Sequence, residues 1–155
     1  MNDRCYAVCG VVEIDGKVLL VRHTYGSAKG RILLPGGFVQ SELPTAAIER
    51  EILEETGVTV KARSVIAVQF KVTEWCVVFA ADYVSGVPRS DGHENSEVLL
   101  LTAEEAVGRG DITNMSREIL KNVYGGSTLS ESGYVPKSAK TGEYVMFAGV
   151  KFGGK

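Results

Sequence analysis

Three glutamates in the run Arg50-Glu51-Ile52-Leu53-Glu54-Glu55 are the residues of this chain best suited to chemistry. In a helix turning about 100° per residue, Glu54 falls about 60° to one side of Glu51 and Glu55 about 40° to the other, so one arc carries three carboxylates. Ala47 and Ile48 share that arc while Ala46 and Leu53 lie nearly opposite, so the acids are not segregated onto a fully solvated face. Like charges one turn apart repel, and more strongly where water is excluded, unless a cation neutralises them. No basic residue is expected among the three. An all-oxygen donor set favours magnesium, with manganese as a substitute. The competing reading is a solvated acidic face with an i,i+4 ion pair between Arg50 and Glu54, and the glutamates alone leave both open.

The elements needed to position these acids are legible around them. Pro44 suits a first helical turn, the run continues to Thr56 without Gly or Pro, and Gly57 supplies a stop. Upstream, Cys5 to Glu13 and Val18 to Arg22 read as strands joined at Asp15-Gly16, and Ile32 to Leu34 as a short strand stopped by Pro35-Gly36-Gly37. Downstream, Val58 to Val72 and Glu74 to Val84 are β-rich, Ser85 to Asn95 is an irregular loop, and Glu97 to Leu101 is a last core strand. Thr102 and Glu105 have capping-box spacing for a short helix, and Asn114 to Tyr124 reads as another. Strands alternating with helices in this way predict a mixed sheet with helices packed on it.

The 155 residues suffice for one domain with a substantial core, expected over residues 1–124. Residues 125–155 read as an extension, rich in Ser, Gly and Lys and then apolar from Glu143 to Phe152. That late run is a candidate edge strand or a contact for a second copy of the chain in a homodimer. A formal net charge of −2 supplies no basic field for long nucleic acid, and no stretch approaches the ~20 apolar residues of a membrane span, so a cytoplasmic protein is expected. Cys5, Cys9 and Cys76 are an odd number without a Cys-x-x-Cys pair, and read as reduced core residues.

From Gly36 to Val58 the chain resembles the Nudix box, G-x5-E-x7-R-E-U-x-E-E-x-G-U with U a bulky aliphatic residue. Gly36, Glu42, Arg50, Glu51, Ile52, Glu54, Glu55, Gly57 and Val58 fill every fixed position. One feature departs from many members: Gln40 stands in place of an acid and one residue is missing before Glu42, so Gly36 rather than Gly37 meets the spacing. The resemblance implies an α/β/α sandwich and metal-dependent hydrolysis of a phosphoanhydride in a nucleoside diphosphate linked to another group. It implies that Glu54 and Glu55 bind metal, that Glu51 binds metal or orients the attacking water, that a glycine carbonyl, Gly36 by spacing, faces the metal, and that Arg50 and Glu42 position the others. A guanidinium fork suits that last task because it never loses its charge.

The family often adds an acid from a loop before the last core strand, and Glu94 and Glu97 occupy that region. Glu94 is favoured because Glu97 begins the strand. His93 reads as a surface histidine. Arg22, His23, Lys29 and Arg31 cluster before the box as phosphate contacts, Arg22 and Arg31 being the named candidates, while Trp75 at strand spacing reads as packing rather than a stacking platform. The expected substrate is a small nucleotide: a nucleotide sugar such as ADP-ribose, a noncanonical nucleoside triphosphate or a dinucleoside polyphosphate. The alternative is a nucleotide-sensing module of the same fold without catalysis, against which the full set Glu51, Glu54 and Glu55 speaks.

Overall fold

The computed structural model describes residues 4–125, 130–137 and 144–149. Strands β1 (Cys5–Ile14) and β2 (Lys17–His23) form a hairpin turned by Asp15 at φ 50° and Gly16 at φ 78°, the left-handed pair that a two-residue turn requires. They pair only beside the turn, at Glu13↔Val18 and Ile14↔Lys17. Beyond it the following segment takes over the pairing, with β3 (Ile32–Leu33) on β2 and β4 (Gly36–Phe38) on β1. The reading of Pro35-Gly36-Gly37 as a strand stop is therefore corrected. Pro35 has no N–H for a ladder, but its carbonyl accepts from the Gly10 N–H at 3.0 Å, and the two glycines continue as a strand opposite Cys9 and Val8.

Helix α1 (Pro44–Thr56) begins with Pro44 in the first turn and ends at Gly57, whose φ of 72° lets its N–H close onto the Leu53 carbonyl. β5 (Thr59–Lys71) and β6 (Glu74–Ser85) follow as a long antiparallel pair, and β6 runs parallel to β1. β7 (Asn95–Leu101) starts two residues before the expected position and pairs with β2. The capping box of Thr102 and Glu105 opens α2 (Ala103–Gly108), and α3 (Asn114–Gly125) comes next.

Period-two alternation sends side chains to both faces of the sheet. Val8, Val12, Leu19 and Phe79 meet Ala47, Ile48 and Ile52 of α1 on one face. Val11, Val18, Leu20 and Val78 meet Ala106 of α2 and Ile119, Leu120 and Val123 of α3 on the other. This is an α/β/α sandwich around a mixed sheet. The chain beyond α3 adds to the same sheet: β9 (Tyr144–Ala148) pairs with β5 from Ala67↔Ala148 to Lys71↔Tyr144, and β8 (Ser130–Glu131) pairs with β9. Met146 and Ala148 are fully buried in the α2/α3 side of the core. Among the described residues no helix is long and apolar enough to cross a membrane.

Candidate functional site

Where β1 parts from β2, a cavity of ≈ 450 Å³ opens, lined by β1, β4, α1 and the loop before β7. Glu51, Glu54, Arg50, Gly36, Gly37 and Glu94 all line it. The structure thus brings together residues separated by more than fifty positions. Helix α1 supplies most of them because it is anchored through Ile48 and Ile52, which puts Glu51 and Glu55 on its buried side, 8% and 2% exposed, and leaves the Glu54 side chain 59% exposed.

One expectation is overturned. A basic residue does stand among the carboxylates. Arg50 donates from Nη1 to Glu51 Oε1 at 2.9 Å and to Glu54 Oε2 at 3.2 Å, and from Nη2 to Glu42 Oε1 at 2.6 Å and to the Phe38 carbonyl at 3.2 Å. Its Nε reaches both Glu42 oxygens at 3.1 Å. The i,i+4 ion pair between Arg50 and Glu54 is one spoke of the cluster rather than an alternative to it. A lysine has neither the planarity nor the donors to hold this many acceptors. Arg50 holds the Glu42 carboxyl below its ordinary range.

The two carboxyls on the buried side behave differently. Burial raises Glu51 while the bond from Arg50 opposes the rise. Glu55 is pushed up to about 9, first by burial and then by the charges of Glu51 and Glu94, against a hydrogen bond from the Gly36 backbone. Its Oε2 is buried with no partner among the described residues. Burial with like charges nearby keeps a carboxyl neutral until a cation arrives. Among the described residues no three acidic, histidine or cysteine side chains already surround one point fit for an ion. Arg50 draws Glu51 and Glu54 to itself instead. The donor chemistry, all oxygen with one buried acceptor unsatisfied, nonetheless fits a hard divalent cation.

The glycines divide their work. A Cβ on Gly36 would strike the Val8 carbonyl oxygen and Cys9, so Gly36 is required by the seating of β4 on β1. A Cβ on Gly37 would strike the Glu51 carboxylate, so Gly37 clears room for that acid. The box spacing that singled out Gly36 carried no sign of the second role.

Glu94 is held at the cavity edge by its backbone. Thr24 donates from N and from Oγ1 to the Glu94 carbonyl at 3.1 and 3.0 Å, Asp91 Oδ1 accepts from the Asn95 N–H at 3.1 Å, and the buried Asn95 side chain donates to the Glu55 carbonyl at 2.8 Å. Asn95 therefore fastens this loop to the end of α1. Glu97 lies elsewhere, paired with Arg22 at 2.9 Å. His93 sits on the exposed part of the loop with its N–H on Asp91.

The arginines expected to touch phosphate in this cavity do not line it. Arg22 is engaged by Glu97, by Asp111 at 3.0 Å and by the Gly30 carbonyl at 2.8 Å. Arg31 donates to the Ile112 carbonyl and faces a different cavity. Lys29 is likewise outside. Of that cluster only His23 is present, stacked on Tyr25 with ring centroids 5.1 Å apart, its pKa lowered by burial. Trp75 packs edge-on to Phe70 and Tyr6.

Several lining residues escaped the sequence reading. Tyr25 and Phe38 are exposed aromatics at the cavity, Glu74 adds an acid, and Thr113, Met115 and Ser116 arrive from the start of α3. An exposed aromatic beside glycines is a usable signal for the first two; nothing local marks the last three. Cys9 and Cys76 also line the cavity as free thiols, and a hydrogen bond with Cys76 together with burial raises Cys9 well above the usual thiol range.

Known proteins share this architecture. A NUDIX domain profile matches residues 1–123. An ADP-ribose pyrophosphatase of Methanocaldococcus jannaschii is 44% identical over 63 residues, covering 40% of this chain and 37% of that protein. A MutT-like protein of Streptomyces ambofaciens is 33% identical over 102 residues, 64% of each chain. The match thus spans less than two thirds of either relative's length. The crystal structure of a NUDIX hydrolase from Nitrosomonas europaea superposes with a TM-score of 0.71 at 24% identity, over 81% of this chain and 75% of that one, which shows the same fold. With the profile spanning most of its length and Gly36, Arg50, Glu51 and Glu54 of the box lining one cavity, the chain belongs to the NUDIX domain family.

Proposed function

We propose that this chain hydrolyses a phosphoanhydride bond in a nucleoside diphosphate linked to another moiety, with magnesium or manganese as cofactor. The observation that carries the reading is the convergence of Glu51, Glu54 and Glu94, from two separate elements, on one cavity, with Glu55 buried near enough to feel the charges of Glu51 and Glu94 and with Arg50 holding Glu51, Glu54 and Glu42. A structural helix has no use for Glu55, a nearly fully buried carboxyl with one oxygen that finds no partner among the described residues.

Glu51, Glu54 and Glu55, with the Gly36 carbonyl, are the groups that would hold the cation. A bound divalent ion supplies neutralisation of phosphate charge and acidifies the attacking water. Arg50 fixes the carboxylates of Glu42, Glu51 and Glu54 so that little reorganisation is left for the reaction. Glu94, set by Thr24 and Asn95, accepts the proton of the attacking water, and Glu51 orients that water. Tyr25 and Phe38 give the cavity apolar faces suited to the flat surface of a base.

One of the two relatives is named for ADP-ribose, and the name of the other specifies no substrate. A panel of ADP-ribose, noncanonical nucleoside triphosphates and dinucleoside polyphosphates, with products identified by phosphorus NMR in ¹⁸O-water, tests the reading. Turnover of at least one compound, abolished by chelator and restored by magnesium, is expected. Full turnover by demonstrably metal-free protein would remove the metal assignment, and no turnover of any compound would remove the hydrolytic one.

A further inference from the structure

A second cavity, ≈ 210 Å³, lies beside the first and is lined by Arg31, Lys71, Lys137, Ser27, Thr113 and Tyr134 among others. Its lining contains three cations and no carboxylate. Among the described residues none of the three makes an ion pair, whereas Arg22, Arg50, Arg63 and Arg109 all do. Arg31 directs Nη2 to the Ile112 carbonyl, and its buried Nε has no partner among the described residues. In a chain of net charge −2, three cations around one concavity, with no carboxylate in its lining, create a local positive field that attracts an anion. The first residues of α3, Asn114 and Met115, also line the cavity, and they place the positive end of that helix dipole on it. The hydroxyls of Ser27, Thr113 and Tyr134 complete a set of donors suited to an oxyanion.

We propose that this cavity is an anion subsite, in which Arg31, Lys71 and Lys137 hold a phosphoryl group of the substrate remote from the bond that breaks. The subsite rests on the hydrolytic reading above. Thr113 and Met115 line both cavities, so a ligand filling the first reaches the wall of the second. The volume is below that of a nucleoside site and suits a phosphoryl or pyrophosphoryl group. An extended nucleotide with a further phosphoryl group beyond the two joined by the scissile bond, such as a dinucleoside polyphosphate, would use the subsite. ADP-ribose, whose only two phosphoryl groups share that bond, would not.

Titration calorimetry of inorganic pyrophosphate into the full chain, with chelator present, reads the subsite apart from the metal centre. The parent should bind. Lys71→Gln/Lys137→Gln should weaken binding at least about tenfold, since each cation lost removes a charge-assisted contact. Lys71→Arg/Lys137→Arg and the remote Lys17→Gln should bind within about threefold of the parent, and both lysine pairs should melt with it, as expected of surface changes. Glu55→Gln should still bind. With magnesium, the glutamine pair should raise KM for a dinucleoside tetraphosphate at least about tenfold while KM for ADP-ribose stays within about threefold. The proposal is overturned if the parent binds no pyrophosphate, if the glutamine pair binds as the parent does, if Glu55→Gln abolishes binding, or if both KM values rise together. A parent that binds pyrophosphate but turns over no nucleotide would refute the hydrolytic reading, and with it the assignment of the anion to a substrate, while leaving the subsite itself demonstrated.

Discussion

Glu55 shows at the scale of one residue how far the site departs from what stability alone would select. Its folded pKa, about 9, lies above the ordinary 4.5 because burial and the neighbouring acids disfavour the charge. Between these two values the unfolded chain has released the proton and the native chain has not, so the native state binds more protons and stability falls as pH rises through this window. Glu51, raised in the same direction, adds to the slope. In chelator, the parent should therefore lose stability from pH 5 to pH 9, and Glu55→Gln should lose less, by up to about 1.4 kcal/mol per pH unit at the steepest point. Urea melts of both proteins across that range check this, and parallel curves would show that Glu55 ionises normally in the fold. The identity of this residue was legible because three glutamates at fixed spacing must share a helical arc. Its burial was only half legible, from Ala47 and Ile48 on the same arc. Arg50 was harder: its place at the hub depends on Glu42 and the Phe38 carbonyl folding back over α1, which no helical projection contains.

At the scale of elements, the same limit separates what could be read from what could not. The β1/β2 turn, the ends of α1 and the capping box of α2 are each fixed by neighbours in sequence, and each was legible. The pairing of β4 with β1 and the contribution of α3 to both cavities depend on contacts between segments far apart, and neither was. Arg22 and Arg31 illustrate the cost. Both lie near the box in sequence, yet Asp111, from the segment after α2, claims Arg22, and the pairing of β3 with β2 directs Arg31 to the second cavity. The loop before β7 has the opposite character, because the bond from Thr24 to the Glu94 carbonyl and the bond from the Asn95 side chain to the Glu55 carbonyl hold Glu94 over the first cavity while Glu97 is engaged by Arg22. Glu94→Gln should accordingly lower kcat by about 100-fold, the scale of a lost general base, and Glu97→Gln by less than about threefold. Steady-state kinetics on the best substrate decide it; the reverse order would move the base to β7, and two small effects would take catalysis away from this loop.

At the scale of the whole molecule, the question is where the folded unit ends. Sequence composition puts a boundary near residue 124, and the family profile stops at residue 123. The sheet does not stop there. β9 covers the edge of β5 over five register pairs, Met146 and Ala148 are buried with Val78, Ile119 and Leu120, and the β5 residues Ala67 and Gln69 are buried in turn. We expect a chain ending at residue 125 to pay for this in stability. Burying one Met side chain fully is worth about 1.5–3 kcal/mol. Exposing Ala67 and freeing one edge of β5 adds to the loss, and an unpaired edge invites association with another chain. A total of at least about 3 kcal/mol, or a melting temperature lower by roughly 10 °C at this size, should result. The truncated chain should also show a concentration-dependent tendency to associate that the parent lacks. Thermal and urea melts at two protein concentrations, with sedimentation on the same samples, measure both effects. A truncated chain that matched the parent in midpoint, slope and sedimentation would show that the profile boundary is the physical one and that β8 and β9 merely rest on a sheet already complete. A destabilised one would place the end of the cooperative unit beyond residue 143, where the chain returns to close the edge that β5 leaves open.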